Sequence, residues 1–315
     1  MEKSVIELRN VSKNFAATPA VADFSLKIES GAFFVLIGPS GCGKSTVLRM
    51  INAMILPDKG QIEVHGQDIR ETEPEKLRRG IGYVIQSAGL FPHWTAADNI
   101  LAVPRLLKWS PSKSAARLAA LVAMLRIDPA LLKRYPKQLS GGQQQRIGVA
   151  RALAADPDII LMDEPFAALD PVSRVALQHE ISGIQARSGK TIVFVTHDMD
   201  EALLLATGMA VMNNGRLIQA GTPASILLAP ADDFVRDFLG GEALQLRLLD
   251  LVPVRKLMKP GKTGATGTIA AEASLKTALN LMLASRRMSL CVADESGARL
   301  GEIHLSDIVA RRDAR

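Results

Sequence analysis

The chain has 315 residues, of which 48% are hydrophobic and 4% aromatic, and this is enough for about two domains with aliphatic cores. The net charge of +6 is mildly basic, but no dense run of lysine and arginine with interleaved aromatic residues indicates nucleic-acid binding, so no nucleic-acid partner is expected. No apolar run approaches the ~18 residues that span a bilayer, and the N-terminus has no apolar signal core.

The first 240 residues follow the pattern of an α/β fold. Alternating or continuous apolar residues predict strands over 6–11, 22–28, 32–37, 159–162 and 191–195. The third of these strands ends in a glycine-rich turn, and a helix is predicted directly after that turn, over 44–54. Because strands alternate with helices, we expect a mostly parallel sheet that helices cover on both faces.

A helical pattern interrupts this alternation between about residues 88 and 156. Its clearest parts are 115–125, which is rich in alanine and leucine, and 143–155. We interpret this stretch as a helical subdomain that is inserted into a first domain over 1–240.

The composition changes near Gly240 and Gly241, and residues 241–315 are predicted to form a small separate α+β module. Its predicted elements are a loop (259–268), a helix capped by Ser274 (275–284), two strands (290–293 and 300–303) around a turn (294–297), and a last helix capped by Ser306.

The first chemical motif is the glycine-rich turn GPSGCGKST, which has the form G-x-x-x-x-G-K-S between a predicted strand and helix. Glycines let the backbone curl around an anion, and N–H groups at the start of a helix point at phosphate oxygens. Lys44 can reach the β- and γ-phosphates, and the Ser45 hydroxyl can bind Mg²⁺. Cys42 is either a small filler residue or a thiol whose pKa is lowered by Lys44 and the helix N-terminus. The motif predicts binding of ATP with Mg²⁺ by Gly38, Pro39, Ser40, Gly41, Cys42, Gly43, Lys44, Ser45 and Thr46.

The second motif is a pair of carboxylates, Asp163 and Glu164, at the end of an apolar strand. Asp163 is predicted to hold Mg²⁺ through its hydration shell, and Glu164 to polarise the attacking water as a general base. Alone, such a pair more often caps a helix. Combined with the phosphate-binding loop, it predicts ATP hydrolysis.

The third motif is LSGGQ over 139–143, which starts a predicted helix. Ser140, Gly141, Gly142 and Gln143 are predicted to form a second anion-binding helix terminus. Alone, the segment fits an ordinary helix cap equally well.

Taken together in their order along the chain, the three motifs resemble the ATP-binding subunits of ABC transporters, over residues 5–240. The resemblance implies a P-loop ABC-type ATPase domain in which Lys44, Glu164 and His197 are catalytic, His197 being the switch histidine that contacts the γ-phosphate. It also implies that Gln86 binds nucleotide and Mg²⁺ and joins the ATP site to the membrane subunits.

Two further positions match the family pattern. Asp170 belongs to the D-loop segment 168–170 and is implied to contact nucleotide. Phe15 lies where the family stacks an aromatic ring on adenine, although a lone phenylalanine is more often a core or exposed aromatic.

The resemblance also implies partners. A second copy of the chain would stack head to tail, so that each ATP lies between the loop 38–46 of one copy and Ser140–Gly142 of the other. Integral-membrane permease subunits would bind near Gln86, where 87–94 helps to form a groove, although Phe91 and Trp94 fit a helical core equally well. An extracytoplasmic binding protein, periplasmic or lipid-anchored, would deliver the substrate, and the chain would lie on the cytoplasmic face of a bacterial inner membrane.

The stretches IGYVIQSAGLFPHWTAADNI and MDEPFAALDPVSR resemble the ATPases of quaternary-amine importers, which take up glycine betaine, choline, carnitine and proline betaine. This implies an ATPase that drives uptake of an osmoprotectant. The alternatives are an importer of amino acids or polyamines, an ABC ATPase outside transport, and a protein that is chiefly a ligand sensor through its tail.

The module after residue 240 resembles one CBS motif, which many of these ATPases carry. A CBS module normally needs two motifs, so either two copies of the chain pair here or the tail is degenerate. Asp307 fits the ribose-binding aspartate, but His304 occupies the position of the usual hydroxyl residue. Nucleotide sensing by the tail is therefore not expected on this pattern alone.

Overall fold

The computed structural model describes residues 4–16, 18–167, 169–240, 247–261 and 264–309. They fall into two compact units, one up to Pro223 and one from Ala224 onward. The domain boundary predicted at 240 stays a prediction, since Gly241 lies outside the described residues. In the described part of the chain, no helix is long and apolar enough to cross a membrane.

The first unit contains strands β1 (Ser4–Phe15), β2 (Thr18–Glu29), β3 (Phe33–Ile37), β4 (Lys59–Val64), β5 (Gln67–Asp68), β6 (Ile81–Val84), β7 (Ile159–Asp163), β8 (Thr191–Thr196), β9 (Gly208–Asn213) and β10 (Arg216–Gly221). Its helices are α1 (Lys44–Ile51), α2 (Pro74–Gly80), α3 (Ala96–Ile100), α4 (Ala102–Leu106), α5 (Pro111–Met124), α6 (Gly141–Leu153), α7 (Pro171–Ser188) and α8 (Met199–Leu205). Short 3₁₀ helices span Pro129–Lys133 and Pro136–Gln138.

The predicted parallel sheet is confirmed. It has six strands in the order β10-β9-β3-β8-β7-β6, and all pairs are parallel except β10 with β9. The central strands β3, β7 and β8 are buried along their whole length, as expected of strands covered on both faces. Their continuous apolar sequence therefore reflects burial rather than an exposed edge.

The strands predicted over 6–11 and 22–28 are longer and belong to a second sheet that the sequence did not indicate. In this antiparallel sheet the order is β2-β1-β4-β5. Its alternating buried and exposed residues match a sheet with one covered face. Periodicity identified the strands but not their partners, because pairing depends on contacts between distant segments.

The predicted helical region contains α3 to α6. Helix α5 begins at Pro111, earlier than predicted, because the Ser110 hydroxyl accepts a hydrogen bond from the Lys113 backbone N–H at 3.3 Å and Pro111 occupies the first turn. Arg146 on α6 donates to the Leu125 carbonyl at 2.8 Å and pairs with Glu180 on α7. This contact ties the helical region to the helix that follows β7.

The second unit contains helices Pro223–Leu228 (α9), Asp233–Phe238 (α10), Leu275–Ser285 (α11) and Leu305–Val309 (α12), with 3₁₀ helices Leu249–Leu251 and Val254–Lys256. Its strands are β11 (Lys259–Pro260), β12 (Thr268–Ala270), β13 (Ser289–Ala293) and β14 (Arg299–His304), in the sheet order β11-β14-β13-β12. An α+β region after the six-stranded sheet is thus present. Its core includes Val254, Leu275, Met282, Leu290 and Ile303.

Two predicted caps have different outcomes in this unit. The Ser274 hydroxyl accepts from the Thr277 backbone N–H at 3.1 Å and caps α11, as expected. The prediction for Ser306 is wrong, since Ser306 lies inside α12. The Asp307 carboxylate instead accepts from the His304 backbone N–H at 3.3 Å, so the start of α12 is satisfied from a different residue. The predicted loop 259–268 contains β11 at one end and the start of β12 at the other, and residues 262 and 263 lie outside the described part.

Candidate active site

The glycine-rich turn lies between the buried strand β3 and helix α1, as the sequence predicted. Gly43 has a φ of 103°, and a Cβ at this position would lie 2.3 Å from the Ala20 carbonyl oxygen. Only glycine fits both the backbone conformation and the space. The loop therefore keeps a tight curl that turns backbone N–H groups toward the start of α1.

Lys44 is 5% exposed, and its ammonium lies inside this loop. Its Nζ donates to the carbonyl oxygens of Gly38 at 2.7 Å and Pro39 at 2.9 Å. The positive charge is thus held against the loop backbone, where an anion in the curl would meet it.

Ser45 and Asp163 come from different elements and meet at the base of the loop. The Ser45 hydroxyl donates to Asp163 Oδ1 at 2.7 Å. Asp163 is 7% exposed, and this burial raises the pKa of its carboxyl, while the Ser45 hydrogen bond and nearby Arg49 and Lys44 act in the opposite direction. A hydroxyl and a carboxylate at hydrogen-bond distance form a pair of hard oxygen ligands.

Glu164 is held by residues from two other strand ends. Its Oε2 accepts from Gln86 Nε2 at 3.1 Å, and its Oε1 lies 3.2 Å from His197 Nδ1. Its backbone N–H donates to the Val195 carbonyl at 3.0 Å, although its φ of 44° is in the left-handed region. A non-glycine residue in this conformation indicates strain that its surroundings maintain.

Ser140 and Gln143 cap the start of α6 reciprocally. The Ser140 hydroxyl accepts from the Gln143 backbone N–H at 3.3 Å, and Gln143 Oε1 accepts from the Ser140 backbone N–H at 3.0 Å. Ser140 and Gly141 are exposed, and a Cβ at Gly142 would lie 3.6 Å from the side chains of Leu169 and Ser173. The start of α6 is therefore open to solvent beside the start of α7.

Asp170 caps α7, and its Oδ1 accepts from the backbone N–H groups of Val172 and Ser173 at 3.1 and 3.0 Å. Its hydrogen bonds with Ser173 lower the pKa of its carboxyl. Ala168, which precedes it in the predicted D-loop, lies outside the described residues. Among the described residues, no hydrogen bond or ion pair joins Ser140 or Asp170 to the phosphate-binding loop.

Phe15 ends β1 with a ring that is 50% exposed, and Lys13 Nζ lies 5.8 Å from the ring centroid. It is therefore an exposed aromatic and not a core residue. The ring is accessible to a planar ligand, and its predicted role in binding adenine stays a prediction.

A family model described as ABC transporter matches residues 21–167. The chain is 48% identical to the glycine betaine uptake system ATP-binding protein YehX of Escherichia coli, over 97% of this chain and 99% of that protein. It is 46% identical to the glycine betaine/carnitine/choline transport ATP-binding protein OpuCA of Bacillus subtilis, over 98% of this chain and 80% of that protein. The chain belongs to the ABC transporter family. It is an ABC-type ATPase that couples ATP hydrolysis to transport.

A solved structure supports the same assignment for the first unit. It is the dimeric structure of an ATP-binding cassette in a post-hydrolysis state, bound to ADP and Pi. The two chains superpose with a TM-score of 0.64 at 31% identity, over 69% of this ABC ATPase and 98% of the other chain. The superposition covers nearly all of the ATP-binding cassette, and the rest of this chain has no counterpart in that cassette.

Sequence reasoning missed a buried polar network next to His197 in this ABC ATPase. The Glu201 carboxylate is 7% exposed and accepts from the Thr196 hydroxyl at 2.7 Å and from Gln178 Nε2 at 3.4 Å. The Thr196 hydroxyl also accepts from the Asp198 backbone N–H at 3.0 Å. The network thus fixes the residues on both sides of His197. A glutamate on an apolar helix face was the only sequence signal for it.

The geometry also decides between the two interpretations of Cys42. The thiol is buried, and burial raises its pKa even though Lys44 Nζ lies 3.8 Å from Sγ and acts in the opposite direction. The expectation of a lowered pKa is therefore wrong, because desolvation outweighs the charge of Lys44. Cys42 is a small filler residue of the loop.

Glu201 gives a pH test of the network. Because burial raises the pKa of its carboxyl above the ordinary value of 4.5, the folded chain holds this proton more tightly than the unfolded chain. Ionisation of Glu201 therefore opposes folding. The stability that the protonated carboxyl contributes is lost as pH rises above about 4.5. Glu201→Gln cannot ionise, so we expect the free energy of unfolding of the parent to fall relative to this variant between pH 4.5 and 7.5, measured by urea unfolding.

The exposed Glu75 provides the control for this comparison, since its side chain is 79% exposed. Glu75→Gln removes an exposed carboxyl together with its ion pair to Arg79, so it shows what the loss of a surface charge alone does across the same pH range. A difference for Glu201→Gln that stays constant with pH, or that matches the difference for Glu75→Gln, would contradict the assignment of a raised pKa to Glu201.

Proposed function

We propose that this chain is the ATP-hydrolysing subunit of an importer for glycine betaine or a related quaternary amine. The main support for ATP hydrolysis is the orientation of Glu164. One of its carboxylate oxygens accepts a hydrogen bond from Gln86, and the other lies close to His197 Nδ1. Glu164 is the general base that polarises the attacking water, and His197 contacts the γ-phosphate. A base with both oxygens oriented by neighbours is ready to direct a water without reorganising.

The phosphate-binding loop and Phe15 supply further contacts to ATP. Lys44 neutralises the β- and γ-phosphates, and the N–H groups of 38–46 surround them, while Phe15 stacks on adenine. The ammonium of Lys44 is already positioned by Gly38 and Pro39, which supports this role.

The oxygen ligands at the base of the loop fit Mg²⁺. Ser45 and Asp163 lie 2.7 Å apart, and Gln86 uses its Nε2 on Glu164, which leaves its amide oxygen for a cation. When bound, Mg²⁺ would supply positive charge that offsets the negative charge of the phosphate groups. Ser45 and Gln86 would hold it directly, and Asp163 through its hydration shell.

A second copy of the chain completes the site. The exposed start of α6, with Ser140, Gly141, Gly142 and Gln143, would meet the nucleotide of the other copy, and Asp170 would lie close to it. The solved structures of similar ATP-binding cassettes are dimeric, which supports a head-to-tail pair.

The choice of a quaternary amine rests on how much of the chain the relatives match. The glycine betaine, carnitine and choline relatives match 96–98% of this chain. A spermidine/putrescine import ATP-binding protein of Nitrosomonas eutropha is 46% identical but matches only 75%. The C-terminal region therefore favours the quaternary-amine group over a polyamine importer.

Permease subunits in the inner membrane would bind beside Gln86, on the cytoplasmic face, and receive substrate from an extracytoplasmic binding protein. The rings of Phe91 and Trp94 contact each other in a tilted arrangement, with centroids 4.7 Å apart, and remain 49% and 38% exposed. The buried Asn99 holds this turn, accepting from the Phe91 backbone N–H at 2.7 Å and donating to the Phe91 and Trp94 carbonyls at 3.2 Å each. An exposed, rigid aromatic pair favours a permease-binding surface over a core role.

The C-terminal module is a CBS-like unit that packs against its twin. The order of helix, strand, turn, strand and helix supports this assignment. Lys259 Nζ donates a hydrogen bond to Asp307 Oδ1 at 2.8 Å. Because this contact uses the carboxylate, it argues against ribose binding by Asp307. Three apolar side chains in or after α11 are exposed and would be covered in a pair: Leu281, Leu283 and Met288.

Replacing the proposed base tests the mechanism. Glu164→Gln removes the carboxylate but keeps its shape, so we expect ATP binding to persist and hydrolysis to fall by about 10²–10⁴-fold. The ATP-bound dimer should then accumulate and be visible by size exclusion. Glu75→Gln, an exposed change, should hydrolyse ATP at the parent rate, and near-parent turnover of Glu164→Gln would rule out Glu164 as the base.

The substrate is tested by uptake. Complexes of this chain with its permease, reconstituted in vesicles, are expected to take up labelled glycine betaine only with ATP. Choline and carnitine should compete, whereas proline and putrescine should not. Competition by putrescine alone would identify a polyamine importer instead.

The C-terminal module is tested by removing residues 251–315. We expect the shortened chain to hydrolyse ATP but to associate more weakly in the absence of ATP, as measured by analytical ultracentrifugation. Unchanged association, with unchanged uptake at low and high osmolarity, would leave the module without the proposed pairing role.

A further inference from the structure

The segment after Gln86 has an unusual backbone. Ala88 and Gly89 have positive φ angles of 40° and 52°, a conformation that alanine rarely adopts. Ala88 is buried, and a Cβ at Gly89 would lie 2.3 Å from Ile85 Cδ1. Glycine adopts positive φ freely, but Ala88 persists in this conformation only where surrounding contacts hold it.

Arg151 provides those contacts. It lies in the last turn of α6, and its guanidinium donates to the carbonyl oxygens of Ala88 and Gly89 at 2.7 Å each. The planar guanidinium reaches the two carbonyls through two different nitrogens held in a fixed geometry, whereas a lysine would have to reach both from a single nitrogen. The guanidinium carbon also lies 6.0 Å from the centroid of the Phe91 ring.

Helix α6 also approaches the segment through its backbone. A Cβ at Gly148 would lie 3.3 Å from the Ala88 carbonyl oxygen, which is tighter than ordinary contact. Burial lowers the pKa of Arg151. The two hydrogen bonds to carbonyls therefore replace lost hydration, and removing them is costly.

Helix α6 thus connects the proposed nucleotide contact at Ser140 with the segment after Gln86. Ser140 caps the N-terminus of α6, and Arg151 lies near its C-terminus, about 16 Å away at the rise of an α-helix. Gln86 lies just before Ala88 and donates to Glu164. A displacement of α6 would pass through Arg151 to the residue that orients the general base.

We propose that Arg151 is a positioning residue that fastens α6 to the segment after Gln86, so that docking of Ser140 on the nucleotide of the second copy sets the position of Gln86 on Glu164. The coupling step rests on the dimer of the proposed function. The hold of Arg151 on Ala88 and Gly89 concerns a single chain and is tested separately.

The test compares Arg151→Ala, Arg151→Lys and a matched control in the full chain. Arg117→Ala is the control, because Arg117 also donates to two carbonyls, Leu153 at 2.7 Å and Ala154 at 3.3 Å, but not to the segment after Gln86. Three quantities are measured: amide hydrogen exchange over 87–91, kcat and KM for ATP hydrolysis, and the ATP dissociation constant in a Glu164→Gln background.

For Arg151→Ala we expect faster exchange over 87–91 and a kcat reduced by about tenfold, the order of effect of a small misplacement of a catalytic group. The ATP dissociation constant should stay within about twofold, because the phosphate loop is untouched. Arg151→Lys, which keeps the positive charge but loses the planar two-nitrogen geometry, should lie between parent and alanine variant. Arg117→Ala should leave exchange over 87–91 and kcat near those of the parent.

Exchange and kcat of Arg151→Ala at the level of Arg117→Ala would overturn the proposal. So would a loss of ATP affinity as large as the loss of kcat, since that indicates general unfolding of the site. Absence of hydrolysis by the parent would count against the proposed function instead, while the exchange comparison would still decide whether Arg151 holds the segment.

Discussion

Parallel pairing of β3, β8 and β7 is the constraint on which the active site depends. Ile37 pairs with Thr196, and Asp163 pairs with Val195, so the three strands end level with one another. The phosphate-binding loop, Glu164 and His197 therefore all begin at one edge of the sheet, although they are far apart in sequence. The backbone N–H of Glu164 still bonds the Val195 carbonyl, so the sheet contributes directly to the placement of the base.

The polar groups at this edge are costly to bury, and each has a partner that offsets the cost. Lys44 donates hydrogen bonds to two loop carbonyls, and Asp163 accepts one from Ser45. Glu201 accepts hydrogen bonds from Thr196 and Gln178. Two non-glycine residues with positive φ, Glu164 and Ala88, also lie close to this edge. Strain of this kind, held by a satisfied polar network, is typical of a site that must be rigid before the substrate arrives.

Local sequence patterns predicted the parts of the fold that local forces determine. The loop 38–46 and the buried strands beside it follow from glycines and continuous apolar runs, and Ser274 follows from cap chemistry. The antiparallel sheet and the network around Glu201 depend on residues far apart in sequence, so periodicity could not identify them. The wrong prediction for Ser306 has a local cause instead, because the helix begins at Leu305 and the Asp307 carboxylate accepts from the His304 N–H only three residues earlier.

The two serines proposed to contact the nucleotide or its Mg²⁺ use their hydroxyl groups in opposite ways, one as a hydrogen-bond donor and one as an acceptor. Ser45 donates its only hydroxyl hydrogen to Asp163, which leaves oxygen lone pairs for a cation. Ser140 instead accepts from the Gln143 N–H, which occupies a lone pair and leaves its O–H to donate to a phosphate oxygen. One hydroxyl is thus prepared for Mg²⁺ and the other for an anion, and the difference arises from their neighbours rather than from the residue type. The hydrogen bonds within one chain are therefore already compatible with a site that two chains complete.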